Sequence, residues 1–333
     1  MHISVVCPVF NTDPALLSTA VQSVLSQAGH NEIDLILVDD ASFNPATCQA
    51  LTEIAGSDPR VRLERLPANG GPAAARQLGI AHASADLIGF IDADDIWPAG
   101  KLAEGDRVLT DNPDTAWLSG SHLILRAGGA APAPTSLIDA CADERDDSPA
   151  PLLHGLPLMR ALITAMPPLG ASIVRRSLFD AAGGLDPDLR YGEDWLLYLK
   201  MAKLAPMRFC REPTYVLRRQ RASMMQSEGR MSHLYTASII QALREPMLVD
   251  IRREIGWYAY SALKDIAMNS TLNNRPVKGL FYALSALARD PREVREFKLF
   301  LNALVMSGND QRECFKKYCT SDQVILNQIP LGG

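Results

Sequence analysis

Short apolar segments alternate with amphipathic segments through the first 125 residues, and this alternation constrains the fold more than any other feature of the chain. The segments 3-ISVVCPVF-10 and 33-IDLILV-38 are mostly apolar, and each is followed by a segment whose apolar residues have helical spacing. A strand with no polar face has to be buried on both sides, as in a parallel sheet covered by helices. The sequence therefore predicts an α/β fold with a parallel sheet.

The composition excludes several classes of protein. The chain has 333 residues, 47% of them hydrophobic, so it can bury a large core, and its formal net charge of −5 argues against a nucleic-acid-binding protein. The six cysteines include no C-x-x-C pair, which argues against structural zinc and indicates a reducing compartment. The first residues lack the features of a signal peptide, and no run of about 18 apolar residues occurs, so we expect a cytoplasmic protein.

Changes in composition divide the chain into two parts. We expect a domain over residues 1–231 and a helical C-terminal module over residues 232–333, where apolar residues recur with helical spacing. Within the first part, residues 127–151 are rich in Ala, Pro, Gly and acidic residues, which predicts a flexible loop.

Polar clusters follow three of the predicted strands. They are 8-PVFN-11 after the first strand, 39-DDAS-42 after the second and 92-DADD-95 after the fourth. Because the carboxyl ends of parallel strands meet at one edge of a sheet and ligands bind there, we expect these clusters to converge on one crevice.

The carboxylates of 92-DADD-95, named the acidic loop below, are typical ligands of Mg²⁺ or Mn²⁺, and a cation would offset their mutual repulsion. An acidic turn that caps the following helix is the alternative interpretation. Asp40 has the chemistry to accept hydrogen bonds from a nucleobase or a ribose hydroxyl, whereas the alternative for the same cluster is a helix cap with Ser42.

Two further segments carry charged residues at predicted helix starts. In 69-NGGPAAAR-76 the backbone N–H groups of the glycine turn are predicted to receive phosphate, with Arg76 one turn further on. Its spacing does not match G-x-G-x-x-G, which argues against a dinucleotide-dependent oxidoreductase. In 192-GEDW-195 one carboxylate is placed to act as a general base, although acidic residues also suit the positive end of a helix dipole.

A basic segment follows. Residues 200–230 contain eight Lys and Arg against two acidic residues, in a chain that is acidic as a whole. This excess is typical of a site for a diphosphate, or for a lipid-diphosphate acceptor at a membrane surface, and equally of a solvated helix face.

The segments PVFN, VDDAS, NGGPAAARQLGI, FIDADD, GGLDPDLRYGED and the Arg-rich strand that follows them occur in one order across residues 1–225. This ordered set resembles the inverting glycosyltransferases of family 2. The resemblance implies the GT-A fold, a Rossmann-like α/β sandwich, here with a C-terminal helical extension.

The resemblance also implies roles for individual residues. Asp194 corresponds to the catalytic base, and Asp95 to a ligand of the divalent metal that bridges the donor diphosphate. The expected nucleotide contacts are Pro8, Phe10, Asn11, Asp40, Arg76, Asp92 and Asp94. Contacts with the diphosphate or the acceptor are expected from Glu193, Trp195, Arg218, Arg219 and Arg221.

The sequence thus predicts a metal-dependent inverting hexosyltransferase. Its donor would be a nucleotide-sugar, with UDP as the nucleotide, and its acceptor a glycan or lipid-linked hydroxyl in polysaccharide or glycoconjugate synthesis. From the basic segment we also expect peripheral contact with the inner face of a membrane. The alternatives are a sugar nucleotidyltransferase and a nucleotide-binding relative without activity. The glycine loop typical of a nucleotidyltransferase is not found near the first strand. The presence of Asp94, Asp95 and Asp194 argues against an inactive relative.

Overall fold

The computed structural model of the chain describes residues 1–27, 32–126, 129–132, 137–141, 148–219, 231–252, 254–256 and 258. Its strands are β1 (Ile3–Val9), β2 (Ile33–Asp39), β3 (Val61–Arg65), β4 (Leu87–Phe90), β5 (Trp117–Arg126), β6 (Gly129–Pro132), β7 (Leu152–Leu153), β8 (Ile173–Arg175) and β9 (Met207–Arg218). Its α-helices are α1 (Pro14–Leu25), α2 (Pro45–Ser57), α3 (Pro72–His82), α4 (Lys101–Asp111), α5 (Leu137–Ala140), α6 (Gly155–Ala165), α7 (Arg176–Ala181), α8 (Glu193–Leu204) and α9 (Met231–Arg244). Two 3₁₀-helices cover Leu169–Ala171 and Pro246–Ile251.

The first half of the sheet is parallel, as the sequence predicts. Its strands lie in the order β3-β2-β1-β4, and each neighbouring pair is parallel. Successive residues of β1 enter opposite faces, so that Val5 packs in one hydrophobic cluster and Val6 in the other. This burial on both faces is the physical reason for the mostly apolar strands.

The second half of the sheet is mixed, which the sequence pattern does not predict. The order continues β8-β5-β9-β7, with β8 antiparallel to both β4 and β5, β9 parallel to β5, and β7 antiparallel to β9. A pair of backbone hydrogen bonds between Ile96 and Val216 also joins the end of the acidic loop to β9.

The segment expected to be a flexible loop contains regular structure in its described part. Strand β6 pairs antiparallel with β5, and helix α5 carries the buried Leu137, followed by the buried Cys141. The Ala- and Pro-rich composition of the segment gives little weight to these two apolar residues. Their burial stabilises an ordered helix. Residues 127–128, 133–136 and 142–147 lie outside the described residues.

The described residues after 231 are helical and pack on the α/β domain. Ile239, Leu248 and Ile251 are buried in the same hydrophobic cluster as the inward face of α8. Most of the expected module, residues 259–333, lies outside the described residues. Among the residues that are described, none of the helices combines the length and hydrophobicity that a membrane crossing needs.

Candidate active site

The ends of β1 and β2 are joined by hydrogen bonds, as the convergence of the polar clusters predicts. The backbone N–H of Asp40 donates to the carbonyl of Val9 at 2.8 Å. Asn11, with a φ of 50°, accepts at its Oδ1 from the backbone N–H groups of Phe43 at 2.9 Å and Asn44 at 2.8 Å. The side-chain oxygen of Asn11 therefore fixes the loop after β2, and its predicted contact with a nucleotide stays a prediction.

An exposed aromatic pair stands beside these strand ends. Phe10 is 45% exposed and Phe43 is 79% exposed, and their rings meet edge to face with centroids 5.9 Å apart. Pro8, the first residue of the predicted nucleotide contacts, is partly buried within β1. Phe10 is among the contacts predicted from the sequence and Phe43 is not, although an aromatic residue in the otherwise polar 39-DDASFN-44 is a signal for it.

Asp40 holds the glycine turn at residues 69–71. Its buried carboxylate accepts from the backbone N–H of Gly70 at 2.6 Å, the N–H of Gly71 at 3.0 Å and Asn69 Nδ2 at 2.9 Å. The prediction that these glycine N–H groups receive phosphate is wrong, because the carboxylate already takes them. Arg190 Nη1 donates to Asn69 Oδ1 at 2.8 Å and so links the glycine turn to the chain that precedes α8.

Arg76 joins the acidic loop to α8. Its side chain is 8% exposed, with Nη2 at 2.7 Å from Asp92 Oδ1 and Nη1 at 2.9 Å from Glu193 Oε1. The family resemblance implies that Arg76 lies near the nucleotide. In the structure its guanidinium lies between two carboxylates from distant segments. The positive charge of Arg76 thereby compensates part of the negative charge that these segments bring together.

Helix α8 presents two carboxylates in its first turn, after Gly192 with its φ of 72°. Burial, and then the charge of Asp194, raise the pKa of Glu193 to about 7 although Arg76 opposes this. Burial also raises the pKa of Asp194, against the charge of Arg76. Asp194 Oδ1 accepts from the backbone N–H of Trp195 at 2.8 Å. A partly buried carboxylate with raised proton affinity and fixed orientation has the properties of a general base.

The side chain of Trp195 does not fit the predicted contact with diphosphate or acceptor. It is 2% exposed and its ring stacks on Tyr258, with the centroids 5.8 Å apart. The residue therefore packs between α8 and the C-terminal part of the chain. Its place directly after two acidic residues suggested the cleft, but one step along a helix turns a side chain by about 100°.

The three carboxylates of the acidic loop differ in exposure. The side chain of Asp92 is 42% exposed, Asp94 is partly buried and Asp95 is buried. Asp95 Oδ2 accepts from the phenol of Tyr215 at 2.8 Å, and its Oδ1 accepts from the backbone N–H of Arg218 at 2.7 Å. Burial, and then the charge of Asp92, raise the pKa of Asp95 to about 8, and the same two causes raise the pKa of Asp94.

The acidic loop suits a hard divalent cation by its chemistry. Its donors are all carboxylate oxygens, and burial together with mutual repulsion raises the pKa values of Asp94 and Asp95, a cost that a cation would offset. In the part of the chain that the structure describes, no three Asp, Glu, His or Cys side chains form a ready-made metal cluster. The assignment of Asp95 as the metal ligand stays a prediction, since both its oxygens bond to β9.

The basic segment is described as far as Arg219. Arg218 lies close enough to Asp94 for its charge to oppose the rise in the pKa of that carboxyl group. Arg219 donates its backbone N–H to the carbonyl of Leu125 at 3.0 Å. The third arginine of the prediction, Arg221, lies outside the described residues.

Comparison with known families and proteins gives one family. Residues 4–119 match the model of Glycosyl transferase family 2. The matched range contains the strand ends, the glycine turn and the acidic loop, and it ends before α8.

Two relatives with curated sequences show the extent of the similarity. An uncharacterized glycosyltransferase of Haemophilus influenzae is 35% identical over 129 residues, which cover 39% of this chain and 47% of that protein. The O-antigen biosynthesis protein RfbC of Myxococcus xanthus is 29% identical over 245 residues, which cover 73% of this chain and 18% of that protein. The chain therefore spans about half the length of the first relative and about a fifth of the second.

Two solved structures share the fold. Residues 1–349 of S. aureus TarS in complex with UDP-GlcNAc match with a TM-score of 0.62 and 15% identity, over 91% of each chain. The mannosyltransferase PcManGT from Pyrobaculum calidifontis, in complex with GDP-Man and Mn²⁺, matches with a TM-score of 0.56 and 18% identity, over 94% of this chain and 82% of that one. The fold of this chain is thus the GT-A, Rossmann-like α/β fold of such glycosyltransferases.

Proposed function

We propose that the chain, whose residues 4–119 match the model of Glycosyl transferase family 2, is a metal-dependent, inverting hexosyltransferase of that family. It moves a sugar from a UDP-sugar to a hydroxyl of a glycan or lipid-linked acceptor. The observation that carries the proposal is the meeting of Asp92 of the acidic loop and Glu193 of α8 at one guanidinium, that of Arg76. This contact supports a single site in which the acidic loop would hold a cation and Asp194, next to Glu193, would act as the general base.

The donor nucleotide lies along the ends of β1, β2 and β4 in this proposal. Its base rests against Phe10 and Phe43 near Pro8, Asn11 and Asp40, and its ribose lies near Asp94. Aromatic rings bind nucleobases by stacking, and the exposure of this pair supports that role. Asp92 and Asp95 face the diphosphate, where Asp95 serves the metal, and Arg218 and Arg219 lie next to it.

The reaction is a single displacement. Asp194 accepts the proton of the acceptor hydroxyl as that oxygen attacks the anomeric carbon, and the nucleoside diphosphate leaves from the opposite face. The configuration at the anomeric carbon is inverted as a result. A bound Mg²⁺ or Mn²⁺ would stabilise the negative charge that develops on the leaving diphosphate, and the acidic loop would hold it.

Several relatives support a role in polysaccharide synthesis. RfbC of Myxococcus xanthus is an O-antigen biosynthesis protein, and a succinoglycan biosynthesis protein of Rhizobium meliloti, ExoW, is 29% identical over 120 residues. The solved relatives were crystallised with UDP-GlcNAc and with GDP-Man, so both nucleotides are candidates, and we propose UDP. Peripheral contact of the basic segment with a membrane belongs to the same proposal for a lipid-linked acceptor.

The donor site is tested by calorimetric titration of UDP, GDP, dTDP and CDP into the protein, with and without Mn²⁺. We expect binding of UDP that depends on Mn²⁺ and that is strongly reduced in the variants Asp95→Ala and Asp94→Asn. The control is Asp86→Asn, which neutralises an exposed carboxylate before β4, at the opposite end of that strand. Preferential binding of GDP would change the proposed donor from a UDP-sugar to a GDP-sugar. Absence of binding by all four nucleotides would contradict the proposed function.

The variant Phe43→Ala tests the aromatic pair. Loss of a stacking ring typically costs about 1–3 kcal/mol, so we expect the Kd for UDP with Mn²⁺ to rise by about tenfold. The folded state should be unaffected because the ring is 79% exposed and the backbone of the loop is held by Asn11. The matched control is Leu204→Ala, which truncates an exposed apolar side chain at the end of α8. Equal affinities of Phe43→Ala and wild type would place the base elsewhere.

A further inference from the structure

Tyr215, a residue of β9, lies fully buried beneath the acidic loop. Its phenol oxygen accepts the backbone N–H of Asp92 at 3.2 Å and donates to Asp95 Oδ2 at 2.8 Å. Because the oxygen accepts from an amide, its own proton is directed to the carboxylate. One hydroxyl therefore fixes both the first residue of the acidic loop and its last.

The ring of Tyr215 is fixed from below. A Cβ atom on Gly170 would lie 2.2 Å from Cε2 of the tyrosine, so only glycine leaves room for the ring at this point. The buried ammonium of Lys101 donates to the carbonyl of Gly170 at 2.6 Å and lies 5.9 Å from the centroid of the Tyr215 ring. The phenol oxygen thus has a defined position against the acidic loop.

Neighbouring residues of β9 complete the attachment. The backbone N–H of Arg218 donates to Asp95 Oδ1 at 2.7 Å. The N–H of Ile96 donates to the carbonyl of Val216 at 3.0 Å, and the N–H of Val216 donates to the carbonyl of Ile96 at 2.9 Å. The acidic loop is thereby attached to β9 by hydrogen bonds, and it is connected to the end of β4.

We propose that Tyr215 is a positioning residue of the donor site, an inference that rests on the proposed function. Three carboxylates within four residues repel one another, and a loop that bears them would spread without external hydrogen bonds. Tyr215 fixes Asp95, the proposed metal ligand, and Asp92 at the other end of the acidic loop, so both residues keep their positions relative to the donor diphosphate. Arg218 is kept beside Asp94 by the same attachment.

The variant Tyr215→Phe tests this role because it removes the hydroxyl and keeps the ring. We expect the Kd for UDP in the presence of Mn²⁺ to rise by about tenfold, a loss of about 1.4 kcal/mol. The control is Tyr198→Phe in α8, which removes an equally buried hydroxyl that pairs with Ser172 at 2.5 Å. Both variants should lower the midpoint of thermal unfolding similarly, since each loses one buried hydroxyl and the two hydrogen bonds that it makes.

A second variant acts on the position of the ring without touching a hydrogen-bonding group. Gly170→Ala displaces the ring of Tyr215, and we expect it to raise the Kd for UDP, as Tyr215→Phe does. Wild-type affinity in Tyr215→Phe, or an equal loss in Tyr198→Phe, would overturn the positioning role while leaving the proposed function intact. Failure of the wild-type protein to bind any nucleoside diphosphate would instead overturn the function and this role together.

Discussion

The variant Asp194→Asn is expected to lower kcat by about 10³-fold while the affinity for the donor nucleotide stays close to wild type. Loss of a positioned general base typically costs between about 10² and 10⁴ in rate. Asparagine keeps an oxygen that can accept the N–H of Trp195, so the start of α8 should retain its geometry. Steady-state kinetics with the donor identified by calorimetry measures the rate, and the titration itself measures nucleotide affinity.

The pH dependence of kcat separates a base from a structural carboxylate. Proton transfer to Asp194 requires its ionised form, and burial raises the pKa of this group above its ordinary value. We therefore expect kcat to rise with pH across a range higher than that of an ordinary aspartate, and we expect this acidic limb to be absent from the residual activity of Asp194→Asn.

The matched control is Asp188→Asn. Asp188 is an exposed carboxylate in the turn that leads into α8, so its neutralisation changes the charge near the helix start and leaves the base in place. Its kcat and its pH profile should match those of the wild type. Retention of more than about a tenth of wild-type kcat by Asp194→Asn would assign the proton transfer to another group, with Glu193 as the next candidate.

The parallel half of the sheet could be predicted from the sequence because its first strands are mostly apolar and alternate with helical segments. β1 and β2 have seven residues each, buried on both faces, and helices with amphipathic spacing separate them. The mixed half could not, since β8 has three residues and β7 has two. Strands this short show no periodicity, and their pairing follows from the tertiary contacts of the whole domain.

The location of the site could be predicted, but its internal contacts could not. The position of the acidic loop after β4 follows from the rule that ligands bind at the carboxyl ends of parallel strands. The partners of its carboxylates come from far along the chain: Glu193 lies 117 residues from Arg76, and Tyr215 lies 120 residues from Asp95. No spacing in the sequence encodes such pairs, and the role of Asp194 came from the family resemblance.

The variant Arg76→Met is expected to lower the free energy of unfolding by about 3–5 kcal/mol at about pH 8, above the wild-type pKa of Glu193, which is the usual cost of leaving a buried partner charge uncompensated. The side chain of Glu193 is 7% exposed and would lose the only guanidinium that bonds to it among the described residues. Urea denaturation at fixed pH measures the loss. The control is Arg190→Met, which removes an exposed arginine bonded to Asn69 and should change stability by less than about 1 kcal/mol.

Protonation should rescue the variant. The pKa of Glu193 is already raised to about 7 with Arg76 present, and removal of the cation raises it further. A carboxyl group whose pKa is higher in the folded state than in the unfolded state contributes stability at low pH, and that contribution is lost as pH rises through the folded pKa. Arg76→Met should therefore be closest to wild-type stability at about pH 5 and should lose stability steadily towards pH 8.

The double variant Arg76→Met/Glu193→Gln identifies the responsible charge. Glutamine has nearly the shape of glutamate and no charge, so the double variant should recover at least half of the stability lost in Arg76→Met and should lose its pH dependence in this range. Nucleotide binding should stay impaired, because Asp92 still lacks Arg76, its ion-pair partner. If the double variant is no more stable than Arg76→Met, the guanidinium stabilises the site through its packing, and the charge balance across the acidic loop and α8 does not depend on it.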